Sequence, residues 1–134
     1  MGTAVPQRRC HLEFKANIPI YLQVYDLICD RIIGEQYLPG DKLPSVRELA
    51  EELTTNPRTI QSALKILINH GILITQRGQG NFISQKDDLI NELRQHKIQQ
   101  ATDDYVNSLV NVLTLDEILI AVTENIKRRK HKED

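Results

Sequence analysis

Arg58, Gln61 and Lys65 are three long hydrogen-bond donors spaced at i, i+3 and i+7. On a helix this spacing sets them along one face. Such side chains can donate to base edges in a DNA major groove, where each base pair shows its own donor and acceptor pattern. Ser62 and Asn69 share the same predicted face, and it holds no acid. From Thr54 to Ser84 the basic side chains are Arg58, Lys65 and Arg77, and there is no Asp or Glu. A surface of that composition can approach a polyanion without local repulsion. Charge alone leaves a second explanation open, a chance acid-free stretch that is partly buried.

The whole chain has a net charge of −1, which taken alone argues against a nucleic-acid partner. That figure averages unlike blocks. Residues 1–53 hold six basic and eight acidic side chains, residues 85–126 three and eight, and residues 127–134 five and two. The acid-free stretch is therefore balanced by an acidic segment behind it.

Residues for other chemistry are scattered. His11, His70, His96 and His131 lie in four separate segments with no metal-ligand spacing and no cysteine beside them. Asp87-Asp88, Asp103-Asp104 and Asp116-Glu117 fit solvated helix faces and helix N-termini better than a magnesium site. No glycine-rich phosphate cradle is present, since Gly78-Gln79-Gly80 reads as a hairpin tip. No enzyme activity, metal or cofactor is expected. Cys10 and Cys29 are too few for a disulfide scaffold and fit a reducing compartment. Cys29 flanks an apolar helix face and is expected in the core, and Cys10 is expected as a solvated thiol in an N-terminal arm. No apolar run reaches the roughly 18 residues a membrane span needs. The N-terminal basic pair Arg8-Arg9 has no apolar stretch behind it, and Pro6 breaks a myristoylation motif. A cytoplasmic address is expected.

The elements that must position these donors follow from periodicity and punctuation. After an arm over residues 1–18, a helix starts near Pro19, with Tyr21, Val24, Tyr25, Ile28 and Ile32 inward, and ends at Gly34. Leu38-Pro39-Gly40-Asp41 is a turn. Ser45-Val46-Arg47-Glu48 is a capping box opening a second helix with Val46, Leu49, Ala50 and Leu53 inward. Thr54-Thr55 is the next turn, Asn56 an N-cap and Pro57 the first residue of a third helix that runs to His70. Its inward stripe is Ile60, Ala63, Leu64, Leu67 and Ile68. Residues 72–77 and 81–83 read as two strands of a hairpin. Helical periodicity resumes over 87–112, and the capping box Thr114-Leu115-Asp116-Glu117 opens a last helix with Ile118, Leu119, Val122 and Ile126 inward. The basic run Lys127 to Lys132 suits a helix C-terminus.

Two short helices joined by a tight turn and followed by a glycine-tipped hairpin make a winged helix-turn-helix. In that motif the second helix of the pair enters the major groove. The predicted fold class is mainly α with a small β-hairpin. Residues 1–84 form the winged helix-turn-helix domain with its arm, and residues 85–134 a helical dimerisation tail. A two-helix tail is too small to bury its own apolar positions, which predicts a homodimer held by Leu89, Leu93, Tyr105, Leu109, Val112, Ile118, Leu119 and Val122.

Leu43-Pro44-Ser45-Val46-Arg47-Glu48-Leu49-Ala50 resembles the "LPS-x-R-x-LA" signature of GntR-family transcription regulators. Arg77-Gly78-Gln79-Gly80-Asn81-Phe82-Ile83 is similar to that family's wing, and Pro19 to Val24 to its first helix start. The short tail and the Asn56-Pro57-Arg58-Thr59 opening resemble the YtrA subfamily. The resemblance implies a DNA-binding regulator that acts as a repressor and dimerises; the twofold symmetry of such a homodimer predicts a pseudo-palindromic double-stranded operator, and a small-molecule effector is a candidate further partner for which the sequence shows no pocket. The resemblance also implies DNA contacts for Arg47 from the second helix, for Asn56, Arg58, Thr59 and Gln61 from the recognition helix, and for Arg77 and Gly80 from the wing; Ser45, Ser62, Lys65 and Gly78 beside them complete the expected DNA-binding surface. Three positions depart from the pattern: Pro57 stands where many members have Arg, Thr54 where the turn usually has Gly, and Asn81 where the wing usually has Thr. If Thr54 needs a positive φ, it costs on the order of 1 kcal/mol. The alternative from another class is a winged-helix adaptor that binds proteins and no DNA.

Overall fold

The computed structural model describes residues 14–133, so Cys10 and most of the expected arm lie outside the described residues. The elements run α1(Ile20–Ile33), α2(Val46–Glu52), α3(Pro57–Asn69), β1(Leu73–Gln76), β2(Gly80–Ile83), α4(Asp87–Leu109) and α5(Leu115–Glu133). This is the winged helix-turn-helix followed by two helices. The chain divides into two compact units, the first ending at Leu93 and the second starting at Arg94.

In the first unit, α1, α2 and α3 enclose one core. Val24, Ile28, Cys29 and Ile32 of α1 meet Leu49 and Ala50 of α2, Ile60, Ala63, Leu64 and Leu67 of α3, and Leu73 and Ile83 of the hairpin. Burying each Val, Leu or Ile side chain of this set is worth roughly 1.5–3 kcal/mol against leaving it in water. Tyr21 and Ile68 depart from the expected stripes. Both are about two-fifths exposed, because they sit at the edge of their helices' inward arcs. The start of α4 belongs to this unit as well: Ile90 and Leu93 pack against the core, and Leu89 lies beside Gly71.

The ends of the helices follow local chemistry. Ser45 Oγ accepts from Glu48 N–H, and Ser45 N–H donates to Glu48 Oε2, so the capping box of α2 is complete. Asn56 Oδ1 accepts from Arg58 N–H at 2.8 Å, with Pro57 as the first helical residue. Gly34 closes α1 with an ordinary negative φ, and the left-handed residue there is Glu35 at φ 61. Thr54 occupies φ 50 in the turn between α2 and α3. The turn has therefore kept its geometry and placed a β-branched residue in it, which is the strained outcome.

The hairpin is antiparallel, with Leu73 opposite Ile83 and Gln76 opposite Gly80. Its tip is Arg77-Gly78-Gln79, closed by Gln79 N–H to Gln76 C=O at 2.9 Å, with Gly78 at φ 78. A third extended segment lies on the outer edge of β2. Gly40 N–H and Leu43 N–H donate to Ile83 C=O and Asn81 C=O, and Ile83 N–H donates to Asp41 C=O, each at 2.8 Å. Lys42 thus bridges Phe82 across that edge. In the sequence Pro39, Gly40 and Pro44 hide this pairing, and the segment has the pattern of a turn.

In the second unit, α4 carries no buried residue and α5 buries Ile118. Thr114 Oγ1 accepts from Glu117 N–H at 3.2 Å and donates to Glu117 Oε1 at 3.0 Å. The second capping motif is therefore present in altered form, with the carboxylate held by the hydroxyl.

Candidate nucleic-acid interface

The recognition face is built from the start of α3. With Asn56 as cap and Pro57 as first residue, Arg58 falls in the first turn, and Gln61, Ser62, Lys65 and Asn69 follow on the same face. All five are exposed, while Ile60, Ala63, Leu64 and Leu67 hold the opposite face in the core. Burial of one face thus fixes the direction of the other. Thr59 is half-buried between the two. The Ser62 hydroxyl donates to Arg58 C=O at 3.0 Å, so its hydrogen is engaged and its lone pairs remain for another donor. Asn56 gives its side-chain oxygen to the cap and keeps its amide nitrogen for another acceptor.

The flanking elements add fewer groups. Arg47 on α2 is almost fully exposed and lies 3.8 Å from Glu51, a loose pair one turn away. Ser45 Oγ is spent as an acceptor in the capping box. On the wing, Arg77 and Gly78 are exposed at the tip, and a Cβ at Gly78 would meet nothing within 4 Å. Gly80 differs: at φ 114, its missing Cβ would lie 3.1 Å from Lys42 Cε. Asn81, where the family pattern has Thr, accepts from the Thr75 hydroxyl through Oδ1 at 2.8 Å and so braces the hairpin from across the strand pair. Among the described residues, Arg58, Lys65 and Arg77 form no ion pair with a carboxylate. Their charge is directed outward.

The positions expected to hold a second copy fall into two groups. Leu93 already packs on the core of the first unit, Leu89 is half-buried, and Ile118 is buried within one chain. Leu109 and Val122 are half-buried, while Tyr105, Val112 and Leu119 are exposed. Leu115 at 72%, Ile120 at 61%, Ile98 at 50% and Ile126 at 49% are exposed too, outside the set expected to hold a second copy, and Leu119 and Ile126 do not turn inward as the stripe of the last helix predicts. Helical periodicity could not separate a face turned to its own chain from one turned outward.

Comparison with known proteins agrees with the fold. The family model for bacterial regulatory proteins of the gntR family matches residues 20–83. The chain is 40% identical over 108 residues to the HTH-type transcriptional regulator YhcF of Bacillus subtilis, covering 80% of this chain and 89% of that protein. It is 42% identical over 71 residues to the HTH-type transcriptional repressor YtrA of Bacillus subtilis, covering 53% of this chain and 55% of that one. Among solved structures, a GntR family transcriptional regulator from Listeria monocytogenes is similar with a TM-score of 0.78 and 33% identity, over 83% of this chain and 98% of that one. The DNA-binding domain of AraR in complex with operator ORX1 is similar with a TM-score of 0.51 and 28% identity, over 54% of this chain and 93% of that domain.

Proposed function

This chain belongs to the GntR family of bacterial regulatory proteins and is a DNA-binding transcription regulator, and from that premise we propose how it binds and assembles. The adaptor alternative is set aside, since the relatives are transcriptional regulators and one structural neighbour is a domain held on its operator.

The observation that carries the mechanism is the exposed, acid-free face of α3. We assign residues 1–84 to DNA binding and residues 85–134 to self-association. Arg58, Gln61 and Lys65 read base edges, because they are long donors on a helix whose other face is fixed by the core. Asn56, Thr59 and Ser62 support them near the helix start, and Arg47 approaches from α2. Arg77, Gly78 and Gly80 bring the wing to the sugar–phosphate backbone. Two copies joined through the tail present two recognition helices to a pseudo-palindromic operator, with half-sites spaced by whole turns of about 34 Å. Support for the dimer comes from Val112, Leu115, Leu119 and Ile126, apolar side chains that one chain leaves in water. The protein acts as a repressor of the YtrA type, as the relative of that name is called, and its place of action is the cytoplasm. An effector, where one acts, is a small molecule that shifts this dimer between DNA-binding states.

Selection of bound fragments from genomic DNA, followed by gel-shift titration at two salt concentrations, tests this. The expected result is an inverted-repeat site bound more weakly as salt rises. Binding that ignores both sequence and salt would remove the proposal.

A further inference from the structure

Lys42 stands outside every motif that marks the DNA-binding surface, yet the fold carries it onto the wing. Its backbone is pinned to the outer edge of β2 by the hydrogen bonds of Gly40, Leu43 and Ile83. Its side chain lies across Gly80, with Cε 3.1 Å and Nζ 3.9 Å from the position a Cβ there would take. Gly80 is the first strand residue after the Arg77-Gly78-Gln79 tip. The ammonium is therefore delivered beside the tip from a segment 35 residues earlier than Arg77 in the chain.

We infer that Lys42 is a backbone-phosphate contact of the wing, its stem laid across Gly80, where a φ of 114 already calls for glycine. This rests on the DNA-binding reading given above. The charge is uncommitted: Lys42 is exposed and, among the described residues, forms no ion pair. The acids near it are occupied. Asp41 Oδ2 accepts from Leu38 N–H at 2.9 Å, and Glu48, which borders the same shallow depression as Lys42, accepts from Ser45 N–H through Oε2 at 3.2 Å. A lysine normally loses much rotamer freedom when it grips a ligand. Here the stem is already laid on the wing, so less freedom is left to lose. An ammonium is a point charge with three donors, which suits phosphate oxygens and carries no base preference.

The test uses the full chain and a random-sequence duplex together with the selected operator, titrated between about 50 and 200 mM salt. Lys42→Met keeps the apolar stem and deletes the charge. It should weaken both duplexes by the same factor and make the slope of log K against log salt shallower by about 0.9 for each bound chain. Lys42→Arg should restore the slope. Gly80→Ala should weaken binding in the wild-type background more than in the Lys42→Ala background, since the strain at φ 114 is common to both and cancels in the cycle. An unchanged slope in Lys42→Met, or additive effects of Gly80→Ala and Lys42→Ala, overturns the inference and leaves the DNA-binding reading standing. A wild type without salt-dependent duplex binding overturns both.

Discussion

Arg31 Nη2 lies 2.5 Å from Glu52 Oε1, which ties the last turn of α1 to the last residue of α2. The guanidinium also donates to Tyr37 Oη at 2.8 Å and sits 5.8 Å from that ring's centroid. One side chain thus joins α1, the following loop and α2, and holds the frame from which α3 projects. The Arg31 side chain is only 16% exposed and that of Glu52 is 46% exposed. Arg31→Ala should lower unfolding free energy by about 1–2 kcal/mol, measured by urea denaturation, because it strands Tyr37 and removes a charge-assisted hydrogen bond. Glu52→Gln should cost less, about 0.5 kcal/mol, since solvent already screens the carboxylate. Equal losses in both variants would contradict this division.

Thr54 is the strained member of the helix-turn-helix. At φ 50 its Cβ crowds its own backbone, at a cost of about 1–2 kcal/mol for an L-residue. Thr54→Gly removes that strain and adds some unfolded-chain entropy, about 0.5–1 kcal/mol. The net expectation is a gain of up to about 1 kcal/mol, raising Tm by a few degrees for a domain of this size. A lowered Tm would mean that the Thr54 side chain holds the turn by other means.

The turn was legible as a position and as a conditional cost, and the capping residues Ser45, Glu48, Asn56 and Pro57 announced the helix starts because capping is local chemistry. The outward face of α3 was legible because its inward stripe is regular. Three features were not. Glu35 took the left-handed conformation that Gly34 advertised. The third edge segment at 40–43 depends on pairing with a strand 40 residues later, which no local pattern reports. The place of Lys42 across Gly80 is hidden with it. In the tail, periodicity marked apolar positions but could not say that Ile118 turns inward and Leu119, one residue on, turns out.

Tyr25 links α1 to the end of α3: its hydroxyl is 3.4 Å from His70 Nδ1, and the two rings meet edge to face. Burial, with Cys29 beside it, pushes the Tyr25 hydroxyl from 10.0 up to about 12. The folded chain therefore keeps the phenolic proton over a range where the unfolded chain releases it. The resulting stability is present in full below pH 10 and is lost as pH rises towards 12. Chemical denaturation between those values should show wild-type stability falling more steeply than that of Tyr25→Phe. Parallel pH profiles would show that Tyr25 ionises as freely folded as unfolded.

Arg58 and Arg77 are both exposed cations, yet they should fail differently. Arg58 lies in the first turn of α3, where a guanidinium can reach a guanine edge with two donors. Arg58→Ala should cost about 1–3 kcal/mol on the operator and relax preference at one base position of each half-site. Arg77, at the wing tip, should act on phosphate: Arg77→Ala should weaken operator and random duplex alike and flatten the salt slope by about one. Competition binding against single-base operator variants separates the two. If Arg77→Ala alters base preference and Arg58→Ala does not, the roles assigned to helix and wing are reversed.

Leu119 is 66% exposed on α5, one residue after the buried Ile118, and Leu115 lies one turn before it at 72%. A leucine pair left in water on a helix that buries one residue in its own chain is poorly explained by monomer stability. Covered by a second copy, each side chain would contribute about 1.5–3 kcal/mol to association. Leu119→Asp should therefore convert a dimer to a monomer in sedimentation equilibrium at micromolar concentration. It should leave the winged-helix melt unchanged, since the core of that unit ends at Leu93. Operator affinity should fall far more than affinity for an isolated half-site, because only the full site uses two linked recognition helices. A wild-type chain that sediments as a monomer, or a Leu119→Asp chain that stays dimeric, would remove the tail from the assembly.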